Sequence, residues 1–303
     1  MNAASELLLN WYAAFGRSHL PWRKTRDPYR ILVSEFMLQQ TQVDRVLPKY
    51  EAFVSRFPDV QTLARATAGD VLRYWKGLGY NSRAVRLQQI ARRIVERFDA
   101  RVPDDTSALR ELPGVGAYTA AAVRAFAFEI DDAAVDTNVR RVVHRLLHGI
   151  EHPPAVPGTL LDAEARELIP PGRAHDWNSA IMDLGATICT ARAPKCLLCP
   201  LTSVCTAFPI DTAALERRRA AHPRKRSAQE SLPFRHTTRF ARGRIVDRLR
   251  QLPPGERISL LDLHRDLSAT IGRSADETAA LVRALERDGL VRIDGRRVCL
   301  RDE

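Results

Sequence analysis

Four cysteines fall within 17 residues of the chain: Cys189, Cys196, Cys199 and Cys205, separated by six, two and five residues. Four thiols at that spacing suit ligands that wrap one metal centre, and the intervening chain must then close into a loop around it. Thr190–Lys195 supplies a turn, and Pro200 follows the third cysteine. Zinc and an iron–sulfur cluster fit the spacing equally well. A disulfide framework fits poorly. Met1–Glu6 lacks a basic segment leading into an apolar run, so no secretory signal is visible and a cytoplasmic location, where thiols stay reduced, is expected. Cys299 stands apart in an apolar, strand-like segment and is expected to be simply buried.

The charge is concentrated. Of 303 residues, 47 are Lys or Arg against 36 Asp or Glu, a net of +11. Between Arg217 and Arg250 there are 12 basic and 2 acidic residues, so +10 of that excess lies in one stretch. A basic excess attracts polyanions by counterion release and steering, which points toward nucleic acid, although a solvated basic face has the same composition. With 45% hydrophobic and 27% charged residues, and no apolar run of the ~18 residues a membrane span needs, the chain reads as a folded soluble protein of about two domains.

From Ser5 to about Cys205 the pattern is helical. Asp70–Trp75 and Val85–Ile90 place apolar residues three and four apart, with short Gly or Pro breaks between segments. Residues 209–239 turn basic and poor in apolar anchors, which reads as a linker with a helix near Leu215. Residues 240–303 become regular again. Helices are expected at Phe240–Gln251, Leu261–Thr270 and Asp276–Asp288, with an extended Arg257–Leu260 and a terminal hairpin of 290–293 and 297–300 around Asp294-Gly295. Three helices and a hairpin suggest a winged helix. Its third helix carries Arg283 and Arg287 for a DNA groove, and a protein-docking role fits equally.

Two segments carry chemistry. Leu112-Pro113-Gly114-Val115-Gly116 opens an apolar helix, and two glycines around one valine permit a tight turn with outward amides at the positive end of a helix dipole. Such a helix-hairpin-helix grips phosphate without reading sequence. Asp136, in Val135-Asp136-Thr137-Asn138-Val139, precedes another helical pattern, where an aspartate is by default an N-cap.

Together with the cysteine spacing, these segments resemble the endonuclease III superfamily of DNA glycosylases. Leu20-Pro21-Trp22-Arg23, Ser34-Glu35-Phe36-Met37-Leu38-Gln39-Gln40-Thr41-Gln42, Gly77-Leu78-Gly79-Tyr80 and Met182-Asp183-Leu184-Gly185-Ala186 narrow the resemblance to the MutY-type adenine glycosylases. It covers roughly residues 7–208, about two thirds of the chain.

The resemblance implies a mainly α, two-lobed helix-hairpin-helix glycosylase with an iron–sulfur loop, followed here by the small winged-helix-like domain. The implied organisation is a cluster lobe of residues 1–26 and 134–208, a six-helix lobe of 27–133, the basic linker 209–239 and the domain 240–303. Cys189, Cys196, Cys199 and Cys205 would hold a [4Fe–4S] cluster, and Leu112, Gly114, Val115 and Gly116 would meet the DNA backbone. The partner is double-stranded DNA holding a mismatch or lesion, bound across the cleft by a monomer with the target base flipped out.

Glu35 matches the family's general acid, which needs a pKa raised from ~4.3 toward ~6–7, because adenine leaves only when a ring nitrogen is protonated. Asp136 matches the carboxylate that faces the oxocarbenium-like sugar and must stay ionised. Tyr118 and Asn138 match positions that hydrogen-bond around it. Leu20, Trp22 and Arg23 correspond to adenine-pocket residues, and Gln40 and Tyr80 to residues that wedge into the base stack. Ser179 stands near the adenine, where many members carry Gln or Glu. Bifunctional relatives have a nucleophilic Lys at the position of Tyr118, so base excision without efficient strand cleavage is expected.

Three features depart from the pattern. The tail is too short and too helical for the nudix-like domain that recognises 8-oxoguanine in typical bacterial members, Asn81 replaces a second tyrosine, and Ser179 is shorter than the usual residue. Two other readings use parts of the same sequence: a thymine or uracil mismatch glycosylase acting opposite guanine, and a noncatalytic DNA-binding regulator, which leaves Glu35 and Asp136 without a role.

Overall fold

The computed structural model describes residues 2–149, 158–221 and 233–302. The basic run predicted at 217–226 is described only to Ala221; its second half, His222 to Arg226, lies outside the described residues. The chain is mainly helical and divides into two compact units, Met1–Glu35 with Val102–Arg224, and Phe36–Arg101 with Lys225–Glu303. Among the described residues no helix is long and apolar enough to cross a membrane.

The first unit holds α1 (Ala3–Phe15), a 3₁₀ turn at Pro21–Arg23, the part of α2 (Pro28–Leu38) up to Glu35, α7 (Thr106–Arg110), α8 (Ala117–Phe128), α9 (Thr137–His148), α10 (Gly158–Glu167), α11 (Ala174–Thr187) and α12 (Thr212–Ala221). α11 is its axis, packed against α1, α8 and α9. The core is built from Leu8, Val139, Val142, Trp177, Ile181 and Leu184, and Cys189, Cys199 and Cys205 lie against it. α9 starts where Asp136 caps its first amides and stops at Gly149, whose φ of 65° is the left-handed geometry of a helix end.

The second unit contains the last turn of α2, then α3 (Val43–Arg56), α4 (Val60–Arg65), α5 (Ala68–Tyr74) and α6 (Ser82–Arg97), with α6 packed along α4 and α5. Phe53 sits between two ring partners, its centroid 4.9 Å from Phe57 and 6.0 Å from Trp75. The C-terminal part of this unit is α13 (Thr238–Leu249), β1 (Ile258–Ser259), α14 (Leu260–Ile271), α15 (Ala275–Arg287), β2 (Val291–Asp294) and β3 (Arg297–Leu300). The sheet is antiparallel in the order β1-β3-β2, with Val298 opposite both Ile258 and Ile293. Thr237, Ser259 and Ser274 cap the three helices, the last in a reciprocal box with Glu277. The elements expected from sequence are therefore present, each within about two residues of its expected ends, because caps and apolar spacing are both local signals. Cys299 is buried, as its apolar segment implied.

Side chains with no hydrophobic signature fasten this C-terminal module to α5 and α6. Arg250 donates to the Leu72 carbonyl (2.8 Å) and to Asn81 Oδ1 (2.8 Å) while paired with Asp247 (2.7 Å). Arg73 forks onto Asp302 at 2.9 and 3.1 Å, and the Gly69 amide donates to the Arg301 carbonyl at 2.7 Å. A Cβ on Gly69 would lie 1.8 Å from Asp302 Oδ1, so glycine is required for that approach. Arg250→Ala strips partners from one carbonyl, one amide and one carboxylate at once. It is expected to cost about 2–3 kcal/mol in a denaturant melt and to expose the module to limited proteolysis ahead of the rest of the chain.

Candidate active site

Glu35 lies near the C-terminal end of α2 and is 6% exposed. Burial pushes its carboxyl up to about 7, against the opposing pull of a Tyr118 hydrogen bond and the Arg23 guanidinium, and the nearby Asp136 charge adds to the rise. The Tyr118 hydroxyl is itself pushed well above its ordinary value, mainly by burial and then by the charges of Glu35 and Asp136. Glu35, Tyr118, Asp136 and Arg23 thus share one low-dielectric neighbourhood. The hydrogen bond of Tyr118 goes to Glu35, whereas the sequence reading placed Tyr118 around the Asp136 carboxylate.

Asp136 does fill the N-cap position, its Oδ1 accepting from the amides of Asn138 (2.8 Å) and Val139 (2.7 Å). Oδ2 accepts from Asn138 Nδ2 at 2.9 Å. The capping and functional readings of Asp136 are therefore compatible: the helix end fixes a carboxylate that stays half-buried and is not closed off from solvent. Three further residues hold this geometry, of which only Gly185 lies in a motif noted in the sequence. Asn138 Oδ1 accepts from Arg141 (3.0 Å), which also donates to the carbonyls of Gly185 (2.6 Å) and Cys189 (2.8 Å). Gly185 lets the helices close, since a Cβ there would stand 2.8 Å from that of Asn138. Asn178, fully buried, accepts from the Ala134 amide (2.8 Å) and donates to the Asp132 carbonyl (2.9 Å), bracing the strand-like approach to Asp136.

Leu20 and Trp22 are buried, and Arg23 stacks over Phe126 with 5.0 Å between guanidinium and ring centroid. Arg23 donates to Ser179 and lies 3.9 Å from Asp183. Ser179 is wholly buried under that contact and also bonds Tyr12, so it supports Arg23 and is not an open ligand contact. Asp183 is buried and forked by Arg17 at 2.6 and 3.0 Å, a pair that only the fold brings together.

In the second unit Gln40 and Tyr80 both sit on left-handed backbone, at φ 54° and 44°, a strained conformation for side chains with a Cβ. One buried residue organises both loops. Arg83 donates to the carbonyls of Phe36 (2.7 Å), Met37 (3.0 Å) and Gln39 (2.5 Å), and to Thr41 Oγ1, Leu78 and Gly79. Its six acceptors make the strain affordable.

In the hairpin, Leu112 and Val115 are buried and Gly114, at φ 84°, makes the turn. Gly116 is the N-cap of α8 with no side-chain cap and open space on its Cβ side. The backbone, not the apolar side chains, is what the hairpin offers a phosphate.

Cys189, Cys196, Cys199 and Cys205 line one cavity with Arg145. Arg145 donates to Cys189 Sγ at 3.3 Å and to the Thr190 carbonyl at 2.8 Å. Burial pushes the Cys199 thiol up to about 11, so a thiolate there needs a cationic partner. Among the described residues no three His, Cys, Asp or Glu side chains converge as they would on a single ion.

A hairpin with a phosphate-facing helix end, a proton-holding buried carboxyl and a capped carboxylate define a helix-hairpin-helix protein of the base-excision type. The profile of HhH-GPD superfamily base excision DNA repair proteins matches residues 33–157. The adenine DNA glycosylase of Mycolicibacterium smegmatis is 44% identical over 244 residues, 80% of this chain and 79% of the relative. A solved thermostable thymine-DNA glycosylase is 33% identical with a TM-score of 0.63, covering 67% of this chain and 94% of the other. A trapped endonuclease III–DNA covalent intermediate shares the fold at a TM-score of 0.57, over 72% of this chain and 99% of the other, with 22% identity. The chain belongs to the HhH-GPD superfamily, and within it to the adenine DNA glycosylase family.

The raised Glu35 pKa has a stability signature. The folded protein keeps a proton up to about pH 7 that the unfolded chain releases near 4.5, so the contribution of Glu35 to stability is full below 4.5 and is lost as pH rises to 7. The loss is expected to reach about 3 kcal/mol. Glu35→Gln should abolish that part of the pH slope in denaturant melts and be the more stable protein at pH 8.

Proposed function

We propose that this protein is a base-excision DNA glycosylase that removes adenine mispaired with 8-oxoguanine or guanine, hydrolysing the N-glycosidic bond of a flipped-out nucleotide. The observation that carries the reading is Glu35, a buried carboxyl that titrates at about 7 next to the hydrogen-bonded carboxylate of Asp136. Two carboxyls in such different surroundings divide acid and charge-stabilising roles between them. Glu35, held by Tyr118, donates its proton to an adenine ring nitrogen. The bond between that base and the sugar C1′ then breaks with both electrons leaving on the purine. Asp136, oriented by Asn138, faces the cationic sugar until water adds at C1′ and its proton returns to the Glu35 carboxylate, restoring the acid. Leu20, Trp22 and Arg23 line the base pocket, with Ser179 behind Arg23. Gln40 and Tyr80 enter the stack that the flipped nucleotide vacates, and the amides around Gly114 and Gly116 hold the backbone of double-stranded DNA.

In this reading the functional lobes are residues 1–26 with 134–208, and 27–133, a division by resemblance that differs from the compact units, which assign 27–35 and 102–133 to the first. The linker spans 209–239, and the module from 240 has the element order of a winged helix, with Arg283 and Arg287 exposed on α15. Cys189, Cys196, Cys199 and Cys205 hold a [4Fe–4S] cluster in this reading, supported by the four thiols lining one cavity and by the family the chain belongs to. When bound, the cluster cross-links the loop that Arg141 and Arg145 tie to α9. A DNA-repair role places the protein at the nucleoid.

The reading is tested by single-turnover excision from duplexes carrying A:8-oxoguanine, A:G, T:G and U:G, with hot alkali revealing abasic sites. Cutting at adenine alone is expected, with a rate that falls tenfold per pH unit above about 7 as Glu35 loses its proton. Glu35→Gln should lower that rate by roughly 10²–10⁴. Cutting at T or U would transfer the protein to the mismatch-pyrimidine class, and silence on all four by protein with its cluster would reject the reading. Because Tyr118 offers no amine, borohydride should trap little covalent complex; a good yield would overturn the assignment of hydrolysis without strand cleavage.

A further inference from the structure

Within the second unit, the Gly77–Ser82 loop and the start of α13 enclose an open cavity of about 980 Å³. That is at the upper end of the roughly 300–1,000 Å³ of ligand sites. Four guanidiniums, Arg45, Arg239, Arg242 and Arg244, line it against one carboxylate, Asp247. Arg242 pairs with Asp288 and Arg244 with Asp247, whereas Arg45 and Arg239 have no carboxylate partner among the described residues.

The same wall carries exposed aromatic surface, Tyr80 at 37% and Phe234 at 61%. These rings alternate with cations. Arg83 lies 5.5 Å from the Tyr80 centroid and Arg239 3.6 Å from it, with Arg239 also donating to the Tyr80 hydroxyl at 2.5 Å. Arg239 is in turn 5.8 Å from the Phe234 centroid, and Phe234 packs edge-on against Phe240 at 5.6 Å. The loop beneath is braced, since Arg83 and Trp75 Nε1 both donate to the Gly79 carbonyl.

Flat π faces and guanidinium planes stack on bases, and unpaired guanidiniums at the rim suit phosphate oxygens. A paired base keeps its faces inside the duplex and cannot offer one to such a wall. We propose that this cleft is a second nucleotide subsite, taking an unpaired nucleotide of a DNA strand with its base against Phe234 and its phosphates on Arg45 and, across its loose 3.7 Å pairing with Asp247, on Arg244. The C-terminal module then serves nucleic-acid binding through the start of α13, in addition to whatever α15 contacts. The inference does not depend on which base the protein excises.

The test uses the full-length protein and a single-stranded oligodeoxythymidine carrying 5-iodouracil. Photo-crosslinks should map to a peptide containing Phe234, a ring the glycosylase reading does not use. Phe234→Ala removes an exposed ring, so the fold should survive, as a thermal melt will report, and single-strand affinity by fluorescence anisotropy should drop roughly fivefold or more. The double variant Arg45→Ala/Arg244→Ala should flatten the salt dependence of single-strand binding by about the slope of one to two phosphates. Crosslinks that map wholly elsewhere, or unchanged affinity and salt slope in both variants, would overturn the subsite. Neither readout measures excision, so failure here is separable from failure of the glycosylase reading.

Discussion

The contact between α9 and α11 is the constraint on which the candidate site rests. It is tight because Gly185 presents no side chain where Asn138 approaches, and it is locked because Arg141 crosses it to two carbonyls of the facing segment. α9 contributes Asp136, Asn138, Arg141 and Arg145; α11 contributes Asn178, Ser179 and Asp183 and runs directly into Cys189. One helix pair therefore sets the carboxylate, the support of the base pocket and the root of the cysteine loop. A displacement of either helix would shift all three, since packed interiors transmit small changes in place of absorbing them.

That arrangement explains why the cysteine loop belongs with the chemistry even though no thiol takes part in bond cleavage. Arg141 reaches from the amide that orients Asp136 to the carbonyl of Cys189, and Arg145, one turn later, reaches the Cys189 sulfur. Both arginines are buried and tied to Cys189, so the cysteine loop and α9 are positioned together. Arg83 does comparable work in the second unit, holding two strained loops by their carbonyls so that Gln40 and Tyr80 are presented outward.

The C-terminal module gives meaning to a residue that looked like a departure. Asn81 stands where relatives more often carry tyrosine, and its side chain accepts the hydrogen bond from Arg250 that anchors α13. An aromatic ring there could not accept that bond in the same geometry. Asn81 is thus part of the anchor of the docked module, and the Arg239–Tyr80 stack lies beside it.

Local chemistry made a good part of this protein legible in its sequence. Caps, apolar spacing and the Gly-Val-Gly turn act within a few residues, so the helices, the hairpin and the terminal strands were readable, and the cysteine spacing announced a common centre. Glu35, Asp136 and Tyr118 were identifiable because their motifs are contiguous, yet the pairing of Tyr118 with Glu35 was not, since hydrogen bonds between distant segments leave no mark in either one. Arg83, Arg141 and Asn178 had no signal for the same reason: a buried polar residue looks like a surface one until its partners are known. The raised pKa of Glu35 belongs to the tertiary structure as well, because burial is a property of the surroundings and the sequence supplies only the carboxyl. Sequence determined which groups were available and where helices begin and end; the fold alone decided which of them are dry, which are paired, and therefore which can hold a proton at neutral pH.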